Sequence, residues 1–459
     1  MTSHQSEHER FLEAQRYIDV DVVRLEPRDR TREGKLEAVR RFNAALGDPQ
    51  AAFDAIQVAG TSGKGTVCTF LAHALDAAGI RTGLHVSPYL QVITEKTWCE
   101  GRYCTAGEFA DAVDRVRPVA EEFRRWDTCP ASVHGMASLA ASYEVFRARR
   151  LETVVMETGV GGRFDLVQGL RKRLTVITDL GLDHTGTLGE TLEEIAWHKA
   201  GIMEPGVPCV AVEGPGYPVV EREARERGVP LHPVRPETIL VRVAPPTPAG
   251  TREVVLRLPH LGEIPVVLPG AAAFQARNAA VAAAALDRLA AAGAGVTPAH
   301  IQEGFPRARY PGRFEQVQDR PRVILDGAHN PQKMGGLLES VLDLEGGGPL
   351  VILAAFSGGR APGPLIATLA GPASALVATR LDLYGKATVP AEDIAHAARA
   401  AGLPAEVEAD PMAALDAALA LAGPAGTVLV TGSLYLVGRL RDRWHPWREI
   451  LLQGTSWPA

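Results

Sequence analysis

AIQVAGTSGKGTVCTFLAHALDAAG, residues 55–79, reads as a short buried strand, a glycine-rich turn and a helix that stops at Gly79. The apolar run has the length of a strand, and the glycines after it allow a turn tight enough to open a helix at once. Backbone N–H groups in such a turn face phosphate oxygens, and the helix N-terminus adds the positive end of a dipole. Lys64 would sit on the β- and γ-phosphates, with Thr66 or its neighbours near Mg2+. The strict phosphate-loop spacing is not met, because Gly65 separates Lys64 from Thr66. An ordinary strand-to-helix turn also carries glycines, but the lysine between flanking strand and helix favours a phosphate loop.

The same grammar recurs on both sides. LETVVME (151–157) is a strand ending in a glycine-rich turn, 174–178 is another, and TLEEIAWHKAGI (191–202) is helical. Upstream, residues 11–46 read as helical and amphipathic, with Leu25, Leu36, Val39, Phe42 and Leu46 among charges. Around 235–268, short Val/Leu alternations between Pro and Gly predict an antiparallel excursion, followed by an Ala-rich helix over 271–292. After PGRFE (311–315) strands return in RVILDGAHN, PLVILAAFS, SALVATR and GTVLVTGS, a second unit reaching about residue 445. The expected fold is α/β: a P-loop NTPase-like ATP-binding domain with a mostly parallel sheet (1–305), then a smaller Rossmann-like α/β domain (306–459).

Composition sets the outer limits. A chain of 459 residues, 46% hydrophobic and 22% charged, can bury real cores in two or three domains. Its 48 Lys+Arg against 54 Asp+Glu leave a net charge of -6, so no basic field points to nucleic acid. No apolar run reaches the roughly 18–20 residues of a membrane helix, and the first twenty are polar and acidic. Five scattered cysteines form neither a disulfide framework nor a paired metal site. These features lead us to expect a soluble cytoplasmic protein.

Several chemical side chains stand at strand ends. Glu157 closes one strand, where ligand sites of open α/β sheets collect; it is either a Mg2+ ligand or a capping acid. Asp183 and His184 follow another strand and can bind metal or move a proton, although such a pair also serves as a satisfied turn. Lys199 lies among Ile195, Ala196 and Trp197, where burial would tune its pKa; a solvated helix face is the plain alternative. Asp326, His329 and the upstream Arg313 could meet ribose and phosphates across a cleft, or simply build a Gly/Asn-rich turn. Cys68, His73 and His85 read as packing residues.

Taken together and in order, GTSGKGT, SPYL, METGVGGRFD, GLDHTGTLGETLEEIAWHKAGIMEPGVP, FQARN, PGRFE, ILDGAHNP and VTGSLYLVG resemble folylpolyglutamate synthase/dihydrofolate synthase, a family of the Mur ligase superfamily. The resemblance spans about residues 10–440. It implies an ADP-forming amide ligase of folate biosynthesis and one-carbon metabolism. ATP would phosphorylate a pterin carboxylate, and the amine of L-glutamate would attack the acyl phosphate. By motif match, Gly60, Thr61, Ser62, Gly63, Lys64, Gly65 and Thr66 hold the triphosphate, and Asn278, Arg313, Asp326 and His329 contact the nucleotide. Ser87, Glu157, His184 and Lys199 match Mg2+ ligands at two sites, Lys199 as a carbamate; Lys64, Glu157, His184 and Lys199 form the catalytic set. A monomer is implied.

The sequence departs from the family's pattern at His134 and Gly135, at Leu166, Val167 and Gln168 after Asp165, at AAFSGGRAPG (354–363) and at YGKAT (384–388). These are positions where the family handles pterin and glutamate. A same-fold ligase for another carboxylate and amine is therefore the second reading, and a nucleotide-binding module without catalysis the third.

Overall fold

The computed structural model describes residues 3–23, 32–126, 128–247, 250–344, 347–358, 361–383 and 387–458. Leu25, Gly359, Arg360 and the Tyr384, Gly385 and Lys386 of YGKAT lie outside the described residues.

Eight strands build the first sheet: β1 (Asp54–Ala59), β2 (Thr82–His85), β3 (Thr97–Cys99), β4 (Arg102–Tyr103), β5 (Thr153–Glu157), β6 (Arg171–Ile177), β7 (Cys209–Val212) and β8 (Leu231–Val234). Their order is β4-β3-β2-β5-β1-β6-β7-β8, and only the pairs at the β4 edge, β2–β3 and β3–β4, are antiparallel. Strands β1 and β5 are buried almost throughout, as parallel strands covered on both faces must be. The helix Lys64–Ala77 leaves β1 through the glycine turn and packs beside the alanine-rich helix Ala273–Ala291.

The antiparallel excursion is a second sheet of β9 (Leu240–Pro246), β10 (Thr251–Leu258) and β11 (Gly262–Pro269). Burial alternates along β10, so Val254, Leu256 and Leu258 face the first core while the opposite face stays in water. The third sheet holds β12 (Glu315–Asp319), β13 (Arg322–Leu325), β14 (Leu350–Ala354), β15 (Ala375–Ala378), β16 (Ala405–Val407) and β17 (Thr427–Thr431). Its order is β12-β13-β17-β14-β15-β16, parallel except at β12–β13. The mixed α/β fold with mostly parallel sheets is the one expected from the strand-helix alternation.

Two expectations change. The amphipathic stretch 11–46 is not one helix: Ser3–Arg16 runs into a wider turn at Tyr17–Asp21, and a separate helix, Arg32–Ala45, follows. The C-terminal unit expected over 306–459 also gives its end back to the first. The helix Trp447–Gln453 buries Ile450 and Leu451 in the first core, and Gly454 O accepts from Tyr103 N at 2.8 Å. Among the described residues, no helix is long and apolar enough to cross a membrane.

Candidate active site

Three loops leave the carboxyl ends of the adjacent strands β5, β1 and β6 and meet over one spot. Register pairs Val58 with Glu157 and Ala59 with Ile177, so Glu157, the 60–66 turn and Thr178 stand at one height. This is where an open parallel sheet gathers a ligand.

The turn needs its glycines. Gly60 has φ +149° and Gly63 φ +82°, and a Cβ would run into Thr178 Oγ1 at the first and Asn278 Oδ1 at the second. Thr178 Oγ1 donates to Ser62 O at 2.6 Å, and Thr61 N donates to Asp179 O at 2.8 Å. No side chain caps the helix Lys64–Ala77, leaving its first N–H groups directed at an anion. Ser62 Oγ is buried without a hydrogen-bond partner, a placement that suits a phosphate oxygen.

Cations crowd this turn. Lys64 Nζ donates to Gly60 O at 3.0 Å, and Lys199 Nζ donates to the same carbonyl at 2.8 Å. Lys199 is buried, and burial, with Lys64 adding repulsion, presses its ammonium down to about 7. From the third sheet's side, Lys333 Nζ reaches Asp183 Oδ2 at 3.2 Å and His329 Nε2 at 3.2 Å. The other ring nitrogen, His329 Nδ1, lies 2.8 Å from Gly327 O. Burial would raise the Asp183 carboxyl, but the His329 ring and the Lys333 charge together hold it well below the usual carboxylate range. Burial lowers the His184 imidazole, and Lys64, Lys199 and Lys333 push the same way against Asp183.

Glu157 is buried, and burial raises its carboxyl against the pull of Lys64 and of the Ser87 N–H, which donates at 2.9 Å. Glu157, with Thr66 lining the same cavity and Ser87 tied to it by its N–H, brings oxygen-bearing side chains of the kind Mg2+ prefers. Among the described residues, no group of three His, Cys, Asp or Glu could hold a metal by itself. A Mg2+ ion here would share its ligands with substrate phosphates, as this ion commonly does, so the residues fit it.

Most of the residues singled out in the sequence come together. Thr61, Ser62, Gly63, Lys64, Gly65, Thr66, Glu157 and Asn278 line a cavity of about 310 Å3, closed from the C-terminal unit by Arg313, Asp326 and His329. Gly60, Ser87, His184 and Lys199 flank it: Ser87 is tied by its N–H to Glu157, and Lys199 to Gly60. As an ammonium donating to a carbonyl, Lys199 is not itself a metal ligand; only a carbamate would make it one. Asp326 lines the cavity and also braces its wall. It spends Oδ2 on Phe314 N at 2.8 Å and Oδ1 on Ala328 N at 2.7 Å, fixing the turns that carry Arg313 and His329. Burial, opposed by Arg313, raises it to about 6.

A second cavity of about 280 Å3 shares Gly65, Thr66, Glu157 and Arg313 with the first and runs toward Trp98, Tyr103, Arg309 and Tyr310. Tyr103, Arg309 and Tyr310 were not flagged in the sequence, since they come from separate segments without a local pattern. Lys333 was also missed, although one signal existed. A lysine in the first turn of a helix opposes the dipole, and Pro331–Leu342 carries one there for no local benefit.

A family model described as Mur ligase, glutamate ligase domain matches residues 312–434. The chain is 31% identical over 310 residues to the dihydrofolate synthase/folylpolyglutamate synthase of Bacillus subtilis (strain 168), covering 67% of this chain and 71% of that protein. Among solved structures, Mycobacterium tuberculosis folylpolyglutamate synthase complexed with ADP and AMPPCP matches with a TM-score of 0.84 at 23% identity, over 95% of this chain and 99% of that one. E. coli FolC in complex with DHPP and ADP matches at 0.77 and 25% identity, over 95% and 98%.

Proposed function

The chain belongs to the dihydrofolate synthase/folylpolyglutamate synthase family, and from that premise we propose how its cleft couples L-glutamate to dihydropteroate or a reduced folate at the expense of ATP. The observation that carries the reading is the convergence of Lys64, Arg313 and Lys333 on one cavity that also holds the buried carboxylate Glu157. Such a concentration of positive charge beside an uncapped helix suits a triphosphate.

The first step joins a carboxylate oxygen of the acid to the γ-phosphorus, and the bond to the β-γ bridging oxygen breaks as ADP leaves with its electrons. Lys64, Arg313 and Lys333 neutralise the charge that gathers on the phosphoryl oxygens. The acid reaches this point through the second cavity, which meets the first at Gly65, Thr66 and Glu157. In the second step the uncharged amine of glutamate attacks the acyl carbon, phosphate departs, and the amine loses its proton. Ser87, Glu157, His184 and a carbamylated Lys199 would hold Mg2+, which would supply screening of the phosphate charge. Closure of the C-terminal unit over the turn keeps water from the acyl phosphate.

The division into an ATP-binding unit over 1–305 and a ligase unit from 306 onward is supported by the separate sheets, with the last helix returned to the first unit. The same proposal takes the enzyme as a monomer acting on small molecules in the cytoplasm. The test is ADP release with ATP, Mg2+ and L-glutamate, comparing dihydropteroate, a reduced folate and no acid. Turnover that needs both glutamate and a pterin acid is expected. Tight ATP binding without turnover on any pterin acid would overturn the folate reading and send the search to other carboxylates and amines.

A further inference from the structure

The cleft is pinned on its far side by a buried network the chemistry above does not use. Arg441 is fully buried, and its Nε donates to Glu315 Oε1 at 2.9 Å and Oε2 at 2.8 Å. Its NH2 donates to Ser456 O at 2.6 Å, and its NH1 crosses to the first unit, reaching Gln91 Oε1 at 2.6 Å. The other end of the same amide is held as well, with Gln91 Nε2 donating to His445 O at 2.8 Å. A buried guanidinium spends its donors this fully only where geometry is tightly set.

Each end of this network leads to a side chain of the cleft. On the first unit, Gln91 ends the 87–91 loop. Glu95 Oε2 holds that loop by accepting from Leu90 N at 2.6 Å and Gln91 N at 2.9 Å. At the loop's start, Ser87 N donates to Glu157. On the second unit, Glu315 Oε2 accepts from Gly312 N at 2.8 Å, bracing the turn that presents Arg313 to both cavities. Gly438 presses on the same loop, since a Cβ there would meet Leu90 O.

We propose that Gln91 is a positioning residue: gripped between the Arg441 guanidinium and the His445 carbonyl, it sets Ser87 and Glu157 against the Arg313 turn across the cleft. Lys64 and Lys333, the latter tied to Asp183, hold the nucleotide side without this network, and Glu157 and Arg313 border both cavities, so Gln91 bears on the meeting of the two substrates more than on ATP binding alone. Loosening it admits water, which attacks the acyl carbon in place of the amine and returns free acid and phosphate.

The inference rests on the ligase reading, and Gln91→Met tests it by removing both polar atoms at nearly constant volume. Turnover of amide product should fall about tenfold, the size of loss a small misplacement near the reacting atoms brings. KM for ATP should change far less than kcat, and the ratio of ADP released to amide formed should rise above that of the unaltered enzyme. Gln91→Glu keeps the acceptor toward Arg441 but sets a carboxylate oxygen against the His445 carbonyl, so it should recover only part of the lost rate. Unaltered turnover and coupling in Gln91→Met would overturn the proposal. So would a loss shared equally by kcat and ATP affinity, or a Gln91→Glu enzyme as poor as Gln91→Met. Failure of the ligase reading looks different: the unaltered enzyme itself would show no glutamate-dependent ADP release.

Discussion

Asp183 Oδ2 lies 3.2 Å from Lys333 Nζ, and the pair joins the loop after β6 to the first turn of the helix Pro331–Leu342. Asn330 Nδ2 donates to the same oxygen at 3.2 Å, so one carboxylate anchors the C-terminal unit at the nucleotide side of the cleft. Burial lowers Lys333 to about 8, with Asp183 pulling it back up and Lys64 pushing it down. Only its protonated form attracts a polyanion, and that form is present below its pKa and lost above it. ATP affinity should therefore weaken as pH rises through about 8. Lys333→Gln should flatten this dependence and weaken binding at neutral pH by about 1.5–3 kcal/mol, the worth of a charge-assisted hydrogen bond. Titrations of ATP on both sides of that pH check it, and an unchanged profile in Lys333→Gln would count against the assignment.

Lys64 is the cation the phosphate turn holds at its own mouth, with Gly60 O as its resting partner. Lys64→Ala should leave the core intact, since the side chain lies at a cavity wall, and should cut kcat by about 10²–10³-fold, the loss typical of one preorganised charge donor. Steady-state ADP release alongside a melting curve separates the two effects. A rate within a few-fold of the unaltered enzyme would overturn the phosphate-loop assignment.

Gly63 combines a left-handed backbone with close approach to Asn278. Gly63→Ala must bear about 1–2 kcal/mol for the left-handed conformation and must also displace the Asn278 amide. Asn278 Nδ2 donates to Gln275 Oε1 at 2.8 Å, so the amide has little freedom to move. The variant should lose ATP binding and some stability. Adding Asn278→Ala should restore part of the stability but not the part due to φ, and a double-mutant cycle on denaturation midpoints measures the coupling. Strict additivity would remove the steric half of the argument.

The phosphate turn, Glu157 and the strands around them were legible because each is local: an apolar run, two or three glycines, a helix start. The Ala-rich helix and the antiparallel excursion were legible for the same reason. Lys333, Arg309 and Gln91 were not, because their roles arise only when two sheets face each other across a cleft. Asp326 shows the same limit from the other direction. Its position after a strand was readable, but not that both oxygens would be occupied by Phe314 and Ala328 N–H groups. The break after Arg16 escaped notice since the apolar spacing continues through Tyr17 and Ile18, which stay buried while the helix widens.

Lys199 carries the sharpest chemical expectation. Burial and Lys64 lower it to about 7, so near neutral pH a large share is free amine. A free amine adds CO2: an Nζ–C bond forms, one proton leaves, and the cation becomes an anionic oxygen ligand. Enzyme depleted of bicarbonate should lose activity and regain it when bicarbonate returns, and isotope-labelled bicarbonate should give a bound carbonyl signal absent from Lys199→Ala. That variant should also lose its turnover, while the Gly60 carbonyl keeps Lys64 as its donor. The carbamate and the ammonium predict opposite results for bicarbonate alone. Full activity without it, and no bound label, would leave Lys199 as a cation whose work is to hold the phosphate turn at Gly60.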